Sequence, residues 1–410
     1  MDMSYSQVVS CRTCKSSRLR EVLDLGNQPL ANALTDEPQF ATEPTYPLRL
    51  IQCSDCGLVQ INVNVDPKIM FSEYSWVTGT SGTSVAHCQN FATIALGISD
   101  TRPNSVLEIG SNDGTLLEVF ANMEIKSLVG VDPAVNLVAN YKSGVTGENL
   151  FFSSSSAKIL YDKYGFFDFI IARNVFSHIP DFIDVISGVK SLLQTESTFF
   201  MEFHWVCKIL EGLHYDSIYH EHTYYHSVDS VNKVFEKMGL TIFDAFTSPI
   251  SGGSLVVAAS LTKKSSTTRL DEIRELEFQT RVTDYESWRQ FGASALENLR
   301  DLKLFLEEYK GKKVCAFGAS ARSSTILNAI GEASLSILSI ADNNSLKWGK
   351  FSPGTGIPIE SVEQMLSRQP ELILIFPFNF EKEICNQISN LGWSGRILLP
   401  IPHPPRSFEI

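Results

Sequence analysis

Five of the chain's eight histidines fall between positions 204 and 226, and four tyrosines stand among them. The densest stretch reads Tyr219-His220-Glu221-His222-Thr223-Tyr224-Tyr225-His226, and it follows Met201-Glu202-Phe203-His204 at the end of an apolar run. Imidazoles titrate near neutrality and sit beside carboxylates and phenols here, which are the groups that take a proton from a weakly acidic substrate. The cluster therefore reads as catalytic. A second metal site, from the H-x-H spacing, and a surface histidine patch stand as its rivals.

A second pattern is Val106-Leu107-Glu108-Ile109-Gly110-Ser111-Asn112-Asp113-Gly114-Thr115, followed later by Val129-Gly130-Val131-Asp132-Pro133. A strand that breaks at a glycine and turns into a helix brings backbone N–H groups close to a ligand, and an acidic residue ending the next strand can hold both hydroxyls of a ribose. A nucleoside belongs in such a turn. The spacing is E-x-G-x-x-x-G and not the dinucleotide pattern G-x-G-x-x-G, and an acidic residue just before the first glycine suits a sulfonium nucleoside better than a pyrophosphate. S-adenosylmethionine is thus favoured over a dinucleotide, with Glu108, Gly110, Asn112, Asp113, Gly114 and Asp132 as its expected contacts. Further on, FDFIIARNVFSHIPD puts Arg173, Asn174 and His178 after another apolar strand. Arg173 and Asn174 are expected beside the cofactor and His178 at the substrate, although a histidine there also serves as a plain helix cap.

Cys11-Arg12-Thr13-Cys14 and Cys53-Ser54-Asp55-Cys56 supply two C-x-x-C pairs, the thiolate layout of a tetrahedral structural zinc. Four cysteines would fill the metal's coordination and leave no open position for a substrate. Two redox-active pairs are the competing reading. Cys88, Cys207, Cys315 and Cys385 stand alone in apolar surroundings and are expected to be buried small hydrophobes.

These groups need elements to hold them. From Ser105 short apolar strands alternate with helical stretches, and a second alternation begins after Lys313 with VCAFGAS, LSILSIADNN, ELILIFPF and RILLPIP. Each alternation predicts a parallel sheet with crossover helices. The expected fold is α/β: a small N-terminal zinc module (residues 1–70), then two Rossmann-like three-layer domains. The first, of class I methyltransferase type, spans 71–260 with a connector over 71–103. A helical linker follows at 261–310, and the second Rossmann-like domain covers 311–410. There Gly318-Ala319-Ser320 and Ala341-Asp342-Asn343 repeat the logic of a nucleotide-binding turn, which makes Ser320, Arg322, Asn343 and Lys347 candidates for diphosphate or base contacts. A structural domain without ligand is the alternative.

With 410 residues, 43% hydrophobic and 20% charged, the chain is globular, and its net charge of −12 argues against nucleic acid as a partner. No apolar run has the length of a membrane span, and the first residues lack the layout of a signal peptide, so a cytoplasmic protein with no membrane partner is expected.

With these motifs in view, the chain resembles the sugar C-methyltransferases that act on nucleotide-diphosphate-linked 4-keto-6-deoxy sugars. The likeness spans nearly the whole length: the four-cysteine module, EIGSNDGTLL, YHEH, GGSL at 252–255, FGASARSST and PGTGIPI. It implies that the middle domain binds S-adenosylmethionine and that the C-terminal domain helps hold the keto sugar nucleotide. It implies further that His222 is the general base, with Tyr219 and Glu221 beside it, Glu221 orienting the ring, His220 near the substrate, and Tyr74 entering from the N-terminal side. The reaction so implied is methylation of a ring carbon, most often C3, through an enolate made by proton removal next to the ketone. Methylation at C5, oxygen or nitrogen is the alternative, and a non-catalytic cofactor-binding protein is a third reading; a heteroatom brings its own lone pair and often needs no strong base, so the histidine cluster favours carbon. The family's usual Lys-Gly in the segment G-A-x-A-K-G is replaced by Arg322-Ser323.

Overall fold

The computed structural model describes residues 5–38, 43–66, 69–70, 77–80, 82–99, 101–139, 141–142, 144–179 and 181–410. Tyr74 lies outside them. Among the described residues the central element is a seven-stranded sheet in the order Thr241–Ser248, Ser254–Ser260, Thr198–His204, Phe169–Arg173, Ser105–Ile109, Ser127–Val131, Thr146–Glu148. The last five run parallel to one another, and Ser254–Ser260 joins Thr198–His204 and Thr241–Ser248 antiparallel. Ser105–Ile109 and Phe169–Arg173 are apolar along most of their length because helices cover both faces of the parallel part. Ser153 and Ser227 start two of those helices, Ser154–Tyr164 and Val228–Met238, each with a reciprocal serine capping box.

A six-stranded sheet forms the C-terminal domain, in the order Ile359–Glu360, Ile337–Ala341, Val314–Phe317, Leu372–Ile375, Arg396–Leu399, Arg406–Glu409, parallel except for the final strand. Between the two domains stand helices Thr268–Thr280 and Tyr285–Glu308. They are part of the body: the first packs on strand Thr241–Ser248 and the second on strand Leu19–Pro29 and helix Ala321–Ile330. Trp205 Nε1 donates to Glu277 Oε1 at 2.7 Å, Tyr215 donates to Asn298 Oδ1 at 2.7 Å, and Gly292 lies so near the carbonyl of Val22 that an added Cβ would stand 2.0 Å from its oxygen. Continuous apolar packing runs from Leu23 through Trp288 to Ile401.

The N-terminal module is a sheet as well as a metal site. Leu19–Pro29, Thr45–Cys53 and Val59–Ile61 pair antiparallel, and the fourth strand is Tyr224–Tyr225, which belongs to the middle domain and comes directly after the YHEH segment. The sequence shows little period-two alternation here for a physical reason: the first strand pair shifts register between Glu21 and Leu23 and again between Asp24 and Asn27, and each shift moves the residues beyond it to the opposite face. No helix among the described residues is long and apolar enough to cross a membrane.

Candidate active site

The carboxyl ends of both parallel sheets face a shared cavity of about 910 Å³, where ligands gather in open α/β sheets. Two turns of similar construction wall it. In the middle domain, Gly110 leaves its strand at φ +66° and donates its N–H to Val131 O at 2.7 Å. Asn112 N then donates to Asp132 Oδ2 at 2.9 Å, while Ala134 N donates to Asp132 Oδ1 at 2.9 Å. In the C-terminal domain, Gly318 (φ +94°) donates to Ala341 O at 2.7 Å, Ala319 N to Asp342 Oδ2 at 2.9 Å, and Asn344 N to Asp342 Oδ1 at 2.8 Å. The acidic residue of the second turn is therefore Asp342. Asn343 lines the cavity but exchanges hydrogen bonds with the Gln387 side chain.

Tyr219 and His222 meet at the cavity wall. His222 Nδ1 lies 2.9 Å from Ser217 O, and since a carbonyl only accepts, Nδ1 carries the proton. Nε2 is left with its lone pair, which accepts from the Tyr219 hydroxyl at 2.7 Å. Burial, followed by the nearby His178 and Arg322, pushes the His222 imidazole well below the ordinary histidine range, so the ring is neutral at neutral pH. His178 stacks edge-on at 5.0 Å between ring centroids, itself lowered to about 4 by burial.

The expected role of Glu221 in orienting His222 needs correction. Ser217 does that work through its carbonyl. Glu221 points the other way and accepts from Asn32 Nδ2 of the N-terminal module at 2.7 Å, and burial pushes its carboxyl up to about 7. The turn sends these two adjacent side chains to opposite sides, so only His222 reaches the cavity. His220 also packs toward the module, 3.3 Å from Pro47 O, and not toward the substrate side.

Of the other expected contacts, Gly110, Asn112, Asp132, Arg173, Asn174, His178, Ser320, Arg322 and Lys347 line the cavity. Glu108, Asp113 and Gly114 lie behind it. Glu108 is fully buried and paired with Arg173 Nη2 at 2.8 Å, so it holds the arginine at the wall. Asp113 accepts from Gly79 N and from Thr115, and Gly114 opens the helix Thr115–Asn122. Ser320 caps the helix Ala321–Ile330, Lys347 donates to Asp342 and Ala319 O, and Arg322 pairs with buried Asp216. Sequence reasoning missed Asn32, and also His87 and Glu202, which hydrogen-bond each other at 3.1 Å along the same wall. Glu202 stands in the MEFH motif that precedes the histidine cluster, whereas lone Asn32 and His87 give no pattern to follow.

At the far end of the N-terminal sheet, Cys11, Cys14, Cys53 and Cys56 are free thiols whose sulfurs all lie within 4.8 Å of one another. Cys11 and Cys56 stand 3.5 Å apart, as do Cys14 and Cys53, close to the roughly 3.8 Å between thiolates that tetrahedral Zn–S bonds impose. Both pairs sit in matching knuckles, in which the residue after the second cysteine, Lys15 or Gly57, takes a positive φ and donates its N–H to the first cysteine's carbonyl. The residues fit zinc.

The whole chain is similar to the C-methyltransferase NovU of Streptomyces niveus, 32% identical over 406 residues and covering 96% of each protein. It belongs to the C-methyltransferase family. Three family models agree: "Putative zinc binding domain" over residues 11–71, "Methyltransferase domain" over 87–245, and "C-methyltransferase C-terminal domain" over 249–402. Among solved structures, the plantazolicin methyltransferase BpumL in complex with SAH is 12% identical with a TM-score of 0.36, covering 44% of this chain and 85% of that one. The magnesium protoporphyrin IX methyltransferase of Synechocystis PCC 6803 with bound SAM is 17% identical with a TM-score of 0.31, covering 44% and 81%. This C-methyltransferase uses S-adenosylmethionine and carries a zinc-binding module.

Because the Asp132 carboxylate can form charge-assisted hydrogen bonds to a ribose, Asp132→Ala in the C-methyltransferase is expected to weaken S-adenosylmethionine binding roughly 10- to 100-fold. Calorimetric titration with the cofactor checks it. Unchanged affinity would remove Asp132 from the ribose.

Proposed function

We propose that the enzyme methylates a ring carbon, C3 in the leading case, of a 4-keto-6-deoxy sugar carried on a nucleoside diphosphate. The Tyr219–His222 pair carries this reading, because a neutral buried imidazole whose acceptor nitrogen borders a large cavity can take the proton of a carbon acid, which a carbon acceptor must lose before it can attack and a heteroatom with its own lone pair need not. The two matching turns support it too. Asp132 and its turn suit the nucleoside of the cofactor, and the turn at Ala319 with Lys347 offers a second place for a nucleotide, with the sugar reaching back between them. Ser320, Asn343 and Lys347 are the residues nearest such a diphosphate, whereas Arg322 is taken up by Asp216 and Ser251 O.

A ketone at C4 acidifies the hydrogen on C3. As substrate enters, the Tyr219 hydroxyl turns from His222 Nε2 to the ketone oxygen, and the freed Nε2 takes the C3 proton. The enolate oxygen keeps the phenol as its donor, which stabilises the developing charge where solvent is excluded. S-adenosylmethionine, when bound, supplies the electrophilic methyl. Arg173 and Asn174, at the end of their strand, hold its methionine side, and Asp132 holds the ribose.

The test is incubation of the protein with S-adenosylmethionine and a panel of nucleotide-linked 4-keto-6-deoxy sugars in deuterated water, read by mass spectrometry. One methyl gained at carbon on a panel member is the expected result, together with slow deuterium entry at C3 when cofactor is withheld. Methyl gain on oxygen or nitrogen, or none on any member while cofactor binds, overturns the proposal. The pH dependence follows from the state of His222. Its neutral form is the active one and its pKa lies below the ordinary 6.5, so kcat is expected to hold through neutrality and fall only below pH 6.5. An acid limb centred above that value would place the essential base elsewhere.

A further inference from the structure

The base is oriented by a carbonyl, and that carbonyl is held by the other domain. Ser217 sits in a short turn, Tyr215–Ser217, flanked by Asp216 and Ile218. Asp216 is fully buried, and Arg322 Nη2 donates to its Oδ1 at 2.9 Å, while Nε lies 2.8 Å from Oδ2 as an ion-pair contact without hydrogen-bond alignment. Arg322 Nη1 also donates to Ser251 O at 3.1 Å, and its guanidinium lies 5.1 Å from the centre of the Phe378 ring. One helical turn later, the fully buried Thr325 hydroxyl lies 3.2 Å from Ile218 O and the same distance from Ala321 O, and shares its one hydrogen between them. The helix Ala321–Ile330 of the C-terminal domain thus grips the residue on each side of Ser217. A planar guanidinium hydrogen-bonded at two points, Asp216 Oδ1 and Ser251 O, fixes orientation as well as distance, which a point charge does not.

We propose that Arg322 and Thr325 are positioning residues: by clamping Asp216 and Ile218 they set the Ser217 carbonyl that keeps the His222 proton on Nδ1 and presents Nε2 to the cavity. The catalytic ring of one domain is thereby tuned by a helix whose own N-terminus opens on the same cavity. The inference rests on reading His222 as the base. Loss of the clamp leaves the cofactor turn at Gly110 and Asp132 untouched, so its effect belongs to turnover and not to cofactor affinity.

The experiment uses full-length, zinc-loaded protein labelled with 15N-histidine, and His222 is assigned from the spectrum of His222→Gln. Wild-type His222 is expected as a single neutral Nδ1–H tautomer. In Arg322→Met and in Thr325→Val the Nε2–H form is expected to appear, with kcat on a keto-sugar nucleotide of the panel lowered on the order of ten- to a hundredfold in the first and less in the second. The KM for S-adenosylmethionine stays within about twofold in both, since the groups that bind it are unchanged. Arg322→Lys, which keeps the charge without the fork, is expected to fall between wild type and Arg322→Met. The acid limb of kcat gives an independent reading. His222 faces His178, His204, Tyr219 and Arg322, with Asp216 behind the arginine; removing the cation favours protonation, so the limb moves to higher pH in Arg322→Met and stays near wild type in Arg322→Lys.

Should Arg322→Met fail to fold with Asp216 left buried and unpaired, the double variant Asp216→Asn/Arg322→Met removes both charges and is read in its place. An unchanged tautomer in the folded variants, or wild-type kcat in Arg322→Met or the double variant, overturns the inference. Failure of the underlying reading shows separately, as normal turnover in His222→Ala, whatever the tautomer of the wild-type ring.

Discussion

His222→Ala is expected to lower kcat by about a hundred- to ten-thousandfold while leaving S-adenosylmethionine binding intact. The size is that of general-base catalysis when the base has no deputy. Tyr219 touches Nε2 directly, but in the proposed mechanism its hydroxyl donates to the ketone oxygen and so is not available as a second base. The confinement of the effect to turnover follows from position. Asp132 and the Gly110 turn are built from strands Ser105–Ile109 and Ser127–Val131, which do not depend on the turn that carries His222. Steady-state kinetics on an active keto-sugar nucleotide, beside calorimetry with the cofactor alone, checks both halves. Near-normal turnover would take the base role from His222.

The second large effect concerns a residue far from the chemistry. Cys53→Ser is expected to abolish tight zinc binding, because even losing an outer hydrogen-bond partner of a ligand costs roughly 10- to 100-fold in metal affinity and here a ligand itself is gone. Structural zinc contributes apparent folding free energies on the order of 10 kcal/mol in small modules, so its loss is expected to loosen the N-terminal sheet. The consequence reaches the active site. Val59–Ile61 pairs with Tyr224–Tyr225, Asn32 donates to Glu221, and Pro47 O meets His220, so the YHEH segment is bonded to the module at three places. Turnover is expected to fall with the zinc, and the melting transition to drop. Elemental analysis with thermal melting and a kinetic assay test the point; a variant with one zinc per chain and full activity would refute it.

Much of the fold and site is legible in the sequence. The two C-x-x-C pairs, the strand–turn–helix at Gly110 with Asp132, and both strand alternations depend on short-range spacing, and short-range spacing is what a sequence records. The contacts of YHEH are harder. Which of four adjacent side chains faces the cavity depends on how the turn leaves Ile218, and that is decided by the C-terminal helix more than a hundred residues later. The assignment of Glu221 as the orienting group fails for that reason. Arg322 misleads in a similar way, since an arginine beside a glycine-rich turn suggests phosphate until its buried partner Asp216 is seen. Ala341-Asp342-Asn343 offers two polar side chains in succession, and only the backbone donors of Ala319 and Asn344 single out Asp342 as the residue that closes the turn.

The two-residue strand Tyr224–Tyr225 also bears on how such enzymes can be recombined. Three segments succeed one another cleanly along the chain, which invites the exchange of modules between relatives at the end of the cysteine-rich region. A cut there would divide a sheet, because its outer strand is encoded some 160 residues downstream of Val65. A chimera that imports a foreign N-terminal module must import the matching tyrosine pair with it, or present the host's YHEH segment with an edge it was not shaped to meet. Inheritance of the metal module and of the base-bearing turn is therefore coupled.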